Sequence, residues 1–329
     1  MHILKGYTKQ EISWMMYDWA NSAHSVIIVT LLPIFFDTVA GYTADSVSSM
    51  STWGYATSIA MLIVALAAPF LGVFRDIRGM RKKLFRFFML LGVAACAGMA
   101  FTPGMDFTSG PAAAGKVASL ILVLYIVSVI GFDASAIYYD AFLTDVTTED
   151  RMDKVSTMGY GLGYIGGSTI PLLIFLIMNL VGVPMLTCLA FVFGLTAVWW
   201  LAFSLPLLKN CEQTSGKPYE KGDVARSIKG VGTTIKEIIA NKPMLIYILS
   251  YFFYIDGVHT VISMATTYGT NLGLDSTGMM LALLLVQILG LPFCLLYIKC
   301  SEKFGARTMV GFGICVYMFI CIFAFFMNS

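Results

Sequence analysis

Lysine and arginine are confined to one side of an alternating pattern of apolar runs and polar loops, and this confinement narrows the chain to one kind of architecture. Nine stretches, near residues 13–37, 52–74, 84–102, 117–139, 156–178, 185–207, 244–268, 277–298 and 308–327, are predominantly apolar. Each is long enough to cross a hydrocarbon layer of about 30 Å as a helix. Of the 21 basic residues, all but Lys116 fall in the N-terminus or around the loops after spans two, four, six and eight. The loops after spans one, five and seven hold none. Because basic residues are retained on the cytoplasmic side, the pattern predicts a multi-pass membrane protein whose N-terminus is cytoplasmic. The plasma (inner) membrane is the expected location.

Composition agrees. Hydrophobic residues make up 58% of the chain and charged residues 12%, against roughly 25% charged in an ordinary soluble domain. The bilayer is therefore the solvent, and an all-α transmembrane fold follows, since helices satisfy their own backbone. A net charge of +2 gives no footprint for nucleic acid. Asp18, Trp19 and Asn21 interrupt the first span, unlike a cleavable signal peptide. The seven cysteines show no CxxC and no pairing with histidine, so they read as small helix residues. The sequence offers no nucleophile with a base, no metal-ligand cluster and no phosphate loop; neither an enzyme nor a cofactor is expected.

Two local patterns recur six spans apart. Asn21-Ser22-Ala23-His24-Ser25-Val26-Ile27 in span one parallels Asp256-Gly257-Val258-His259-Thr260-Val261-Ile262 in span seven. Asp76-Ile77-Arg78-Gly79-Met80-Arg81 after span two parallels Glu302-Lys303-Phe304-Gly305-Ala306-Arg307 after span eight. Both pairs keep their orientation, which implies parallel six-helix repeats. The repeat calls for twelve spans, of which nine are expected here. The predicted organisation is a six-helix bundle over 1–207, a cytoplasmic linker over 208–242 and an incomplete second bundle over 243–329. Within the linker, Lys209 to Gly222 reads as flexible. Val224, Ile228, Val231, Ile235 and Ile238 then share one helical face, with Arg226, Lys229, Lys236 and Glu237 opposite. That is an amphipathic helix at the membrane surface, either a strut or a partner-binding element.

Gly72 followed by Asp76-x-x-Gly79-x-Arg81-Lys82 resembles the loop between spans two and three of the major facilitator superfamily. Ile77 and Met80 stand where that family usually has basic residues, with Arg75 and Arg78 beside them. Trp14-x-x-Tyr17-Asp18-Trp19-Ala20-Asn21-Ser22-Ala23 is similar to the opening motif of the vacuole-effluxer-like branch, which includes the yeast autophagy-related vacuolar amino-acid effluxer and bacterial relatives. Tyr139-Asp140-Ala141-Phe142-Leu143 and Tyr254-Ile255-Asp256-Gly257-Val258 are similar to its fourth- and seventh-span motifs. The resemblance implies a secondary transporter of major facilitator type working by alternating access, with amino acids or related nutrients as the leading substrates. It also implies that Gly72, Asp76, Gly79 and Arg81 form a cytoplasmic gate against the last helices of the second half. Asp140, at the rim of span four, reads as a gate or helix-end ion-pair residue. The alternative for the loop is simple cytoplasmic retention by its basic residues.

The intramembrane polar residues carry the functional expectation. A charge near the bilayer centre costs about 2.5–3.5 kcal/mol, so each needs a partner, a water-filled cavity or a proton. His24 lies roughly 16 Å into its span at ~1.5 Å per residue. Asp18, Asn21, Ser22 and Ser25 form one stripe with His24 at its margin. Asp256, His259, Thr260, Ser263 and Thr267 form another on span seven, within an arc of about 100°. Such faces are expected to line a cavity between the halves, making Asp18, Asn21, His24, Asp133, Asp256 and His259 candidates for binding a small-molecule solute or protons. The alternative for Asp256 and His259 is a satisfied pair that locks helices together. Gly159, Gly163 and Gly167 make a smooth strip for helix packing. The tryptophans, mostly near span ends, read as interfacial anchors. Two further readings stay open: an exporter of amphipathic compounds or drugs, and a truncated, non-transporting remnant.

Overall fold

The computed structural model describes residues 4–43, 49–216, 218, 223–271 and 276–326. The helices are α1 (Lys9–Ala40), α2 (Ser49–Arg75), α3 (Met80–Met99), α4 (Pro111–Val146), α5 (Met152–Leu162), α6 (Thr169–Leu180), α7 (Met185–Asn210), α8 (Asp223–Ala240), α9 (Lys242–Asn271), α10 (Ser276–Phe304) and α11 (Ala306–Phe325). A π-helical turn, Gly163–Ser168, joins α5 to α6, so the two form one span. Among the described residues nine helical segments are long and apolar enough to cross a membrane, and the all-α major facilitator expectation is met. The contacts divide the chain into two units, Met1–Lys221 and Gly222–Ser329.

Two helices of the first unit outrun their apolar stretches. With 32 and 36 residues, α1 and α4 are roughly 48 and 54 Å long, well beyond the hydrocarbon thickness. Their polar ends make the extra turns. Thr8 caps α1 reciprocally with Glu11: the Glu11 amide donates to Thr8 Oγ1 (3.1 Å) and the Thr8 amide to Glu11 Oε2 (2.7 Å). Glu11 also receives Arg151 Nε and Nη2, each at 2.9 Å, and Thr147 Oγ1 at 2.7 Å. This fork ties the start of α1 to the segment between α4 and α5.

The first unit is built around α1, which packs against α4, α5, the π turn and α7; α3 lies against α4 and α7, and α2 against α4. Its interior holds Tyr17, Phe85, Tyr138, Phe142, Phe193 and Trp200. Leu62, Leu66, Leu180 and Val198 point outward, as suits a surface bathed in lipid. The α3–α4 crossing is close. A Cβ on Gly131 would stand 2.5 Å from the Gly92 nitrogen and 2.7 Å from its Cα, so backbone meets backbone there. Hydroxyls that would be orphaned in hydrocarbon turn back onto helix carbonyls. Ser128, Thr196 and Ser204 do so to Tyr125, Val192 and Trp200.

The tryptophans depart from the interfacial reading. Trp14 and Trp200 are buried, and Trp14, Trp199 and Trp200 donate their indole N–H to Tyr139 O, Trp19 O and Tyr17 Oη at 2.9, 3.0 and 3.3 Å. All five thus pack or bond inside the bundle, since Trp19 stacks on Trp199 and Trp53 packs against Phe36 and Tyr125.

In the second unit, α9 contacts α8, α10 and α11. Leu291, Ile298 and Gln287 of α10 are buried. Ile235 of α8 is half exposed, whereas the side chains of Val224, Arg226, Ile228 and Lys229 lie outside the described residues. The repeated loops share one feature: Gly79 and Gly305 both take positive φ, +81° and +83°, immediately before a helix. Their ψ angles differ, −6° against 145°.

The α3–α4 crossing predicts that Gly131→Leu abolishes the folded monomer peak in detergent chromatography, because overpacking here displaces backbone. Gly115→Ala on the same helix, where nothing lies within 4 Å, should fold normally and melt no lower than the parent. Glu11→Ala should lower the melting temperature by roughly 5 °C, and Arg151→Ala should add little to it. Additive losses in that double-mutant cycle would show that the two side chains are not coupled.

Candidate functional site

The polar groups of the first unit gather where α1, α4, α5 and α7 meet. Asp18, one turn after Trp14, is half-buried. Its Oδ2 accepts the Tyr139 hydroxyl at 2.8 Å. The Tyr139 ring stacks on Trp14 with centroids 4.4 Å apart, and the Trp14 indole donates to the Tyr139 carbonyl. Tyr139 is thereby fixed at both ends by α1. One turn along, Tyr17 Oη and Ser135 Oγ are 2.7 Å apart, and Trp200 Nε1 reaches the same tyrosine oxygen.

α5 comes close enough to cover the acid because it lacks side chains on that face. A Cβ on Gly159 would stand 2.5 Å from Asp18 Oδ2, and one on Gly163 2.5 Å from Ser22 Oγ. Cβ atoms on Gly166 and Gly167 would meet the Trp19 ring and the Trp19 carbonyl. The π turn sits directly on this contact, and Ser168 Oγ donates to Ser22 O at 3.4 Å. The glycine strip is therefore the α1 docking face, as its spacing predicts.

His24 lies deeper in the bundle than a place at the margin of a cavity-lining stripe would put it. It is 2% exposed, its Nε2 is 3.2 Å from Ser128 Oγ, and its ring stacks on Phe132 and tilts against Trp200. Asn21 is also buried. Asp133 is half-buried with Oδ2 lacking a hydrogen-bond partner among the described residues. On α9 of the second unit, Asp256 and His259 are exposed. The side chains of Ser263 and Thr267, the rest of that stripe, lie outside the described residues.

The loop residues separate into two groups. Gly72 on α2 has open space around it. Asp76 is exposed, and its carboxylate pairs with its neighbour Arg75 at 3.4 Å. Arg81 is buried: its guanidinium pairs with Asp145 and donates to Ala141 O at 2.9 Å. Gly79 makes this possible, because the left-handed turn it adopts swings α3 so that Arg81 lies under the end of α4. The ion pair at that helix end is thus made by Asp145 and not by Asp140, which is exposed and followed by almost two further turns. Asp145 and Glu11 escape a reading by hydropathy because both lie beyond the apolar stretches. Thr8-x-x-Glu11, a capping-box spacing, is the signal that points to the latter.

Comparison with known proteins fits this geometry. The family model described as Vacuole effluxer Atg22 like matches residues 41–328. The uncharacterized MFS-type transporter YxiO of Bacillus subtilis is 39% identical over 335 residues, covering 99% of this chain and 76% of its own length. Autophagy-related protein 22-1 of Penicillium rubens is 24% identical over 177 residues, 50% of this chain and 30% of that protein. The protein of the same name from Aspergillus niger is 24% identical over 176 residues, 50% of this chain and 28% of its own. This chain thus spans under a third of each fungal relative's length. No solved structure matches. With the family model and the bacterial relative both covering most of its length, the chain belongs to the vacuole-effluxer, Atg22-like branch of the major facilitator superfamily.

Proposed function

We propose that this multi-pass membrane protein is a secondary active transporter that moves an amino acid or a related small nutrient by alternating access, with its N-terminus cytoplasmic and the plasma membrane as its location. Relatives named as an MFS-type transporter and as autophagy-related proteins of an effluxer family support transport in general. The observation that carries the reading is Asp18. It is an acid at a helix–helix contact inside an apolar bundle, with a tyrosine hydroxyl for a partner and no cation paired to it among the described residues. An intramembrane acid is costly and marks a solute or proton path by default. A carboxylate there complements the ammonium group of an amino acid, and Tyr139 holds it in one orientation. Asn21 and Asp133 extend the same function along α1 and α4. On α9, Asp256 and His259 serve solute or proton handling, histidine being the side chain that switches most readily near neutral pH. The turn at Gly72, Asp76, Gly79 and Arg81 serves as a gate.

Reconstitution in liposomes tests the proposal. Labelled amino acids offered with and without a pH gradient should show accumulation of at least one, dependent on the gradient. Asp18→Asn should cut that uptake by about tenfold or more, the scale of losing one charged contact, while the protein elutes as the parent does. No accumulation of any amino acid would reject the substrate class, and wild-type uptake by Asp18→Asn would reject the site. The two histidines should separate. His259→Gln is expected to shift the pH dependence of uptake. His24→Gln, in its apolar cage, should lower the yield of folded protein and leave the pH profile in place.

A further inference from the structure

The chain does not leave the first bundle where α7 ends. Asn210 Nδ2 donates to Ser13 Oγ at 2.9 Å, and Cys211 Sγ lies 3.6 Å from Gln10 O. Gln213 then reads the backbone of the turn before α3 on both sides. Its Oε1 accepts the amides of Gly79 (2.9 Å) and Arg81 (3.4 Å), and its Nε2 donates to Arg75 O (3.2 Å). Next, Asp145 Oδ1 accepts from Thr214 N (3.2 Å), Thr214 Oγ1 (2.9 Å), Ser215 N (3.0 Å) and Ser215 Oγ (2.8 Å). Its other oxygen holds Arg81. Gly216 finishes the run at φ +125°, where a Cβ would stand 2.9 Å from Asp76 O. Composition marks this stretch as flexible linker. The contacts make it a fitted part of the first unit.

We propose that residues 211–216 form a strap that holds the 75–81 turn in place, with Gln213 and Asp145 as its positioning residues, and that the turn moves only when the strap lets go. The physical basis is convergence on one carboxylate. Asp145 is buried, carries charge-assisted bonds from the strap on one oxygen and from Arg81 on the other, and so couples two segments that are far apart in sequence. Gln213 adds a second tie by pairing backbone groups on either side of Gly79, and it shares Arg81 with Asp145. Exposed polar contacts made singly would contribute little. Here they share partners, so loss of one side is felt on the other. The strap lies wholly within the first unit and holds whether or not a solute is carried.

Hydrogen–deuterium exchange on the purified protein reads this without any substrate. In the parent, the amides of Gly79, Arg81, Thr214 and Ser215 should exchange more slowly than in free peptides. The double variant Thr214→Val, Ser215→Ala removes the strap's two hydroxyl donors. It should speed exchange at 214–215 and, by about tenfold, at Gly79 and Arg81, which neither side chain touches; that factor corresponds to one bond to a charged group. Gln213→Ala should raise exchange at Thr214 and Ser215 in turn, and Thr214→Ser should behave as the parent. Exchange in α4 peptides serves as the check that each variant is folded. The proposal falls if the parent strap exchanges at the free-peptide rate, if faster exchange stays local to the substituted residues, or if Thr214→Ser matches the valine variant. None of these outcomes depends on the transport reading, which stands or falls on uptake.

Discussion

Tyr139 is gripped by α1 at both ends, and the rest of the first bundle is arranged around that grip. Its carbonyl takes the Trp14 indole, its ring lies flat on Trp14, and its hydroxyl reaches Asp18. In water such bonds would trade against solvent at little net gain. In hydrocarbon the alternative is an unmet polar group, so the same contacts fix the rotation of α1 about its own axis. Once that rotation is set, Tyr17 must face Ser135 and Trp200, and His24 must face Ser128. The three contacts follow α1 at helical spacing.

Much of this fold is legible in the sequence, because lipid enforces hydropathy strictly: the nine runs, their alternation with basic loops and the glycine strip all have simple physical signals. The site is less legible, for reasons that attach to particular residues. Trp14 sits near a span end in sequence, where an anchor is expected, yet α1 starts four residues before the apolar run does and turns that ring inward. Asp145 and Glu11 stand outside the greasy stretches, so hydropathy stops short of both. His24 shares a periodic stripe with Asn21 and Ser25, but a stripe gives direction only to within a helical arc. A few tens of degrees separate a cavity wall from a packed core.

The basic loop shows how one signal can hide two roles. Arg75, Arg78, Arg81, Lys82 and Lys83 count equally towards topology. Only Arg81 is buried, because the left-handed turn at Gly79 places it under α4, where Asp145 is available. A buried guanidinium without its acid would be strongly unfavourable, so the glycine, the arginine and the aspartate require one another. Spacing alone reveals the first two, while the third depends on how far α4 continues past its apolar part.

The glycines of α5 and of the π turn that follows it supply the last constraint. An acid inside a bundle needs room for its carboxyl as well as a partner, and side chains from a neighbouring helix would ordinarily occupy that room. Gly159 leaves the space beside Asp18 Oδ2 empty of a Cβ, and Gly163, Gly166 and Gly167 bring the backbone of the following π turn against Ser22 and Trp19. Three of these four close approaches fall on the π turn and one on the regular helix before it. Within that turn, Gly163–Ser168, the backbone is irregular, with the Thr169 amide reaching back to Tyr164 O. Irregular backbone, missing side chains and an intramembrane carboxyl thus occur together because each makes the next sterically affordable, and bulk added at any of the four glycines would act on Asp18 or on the helix that carries it.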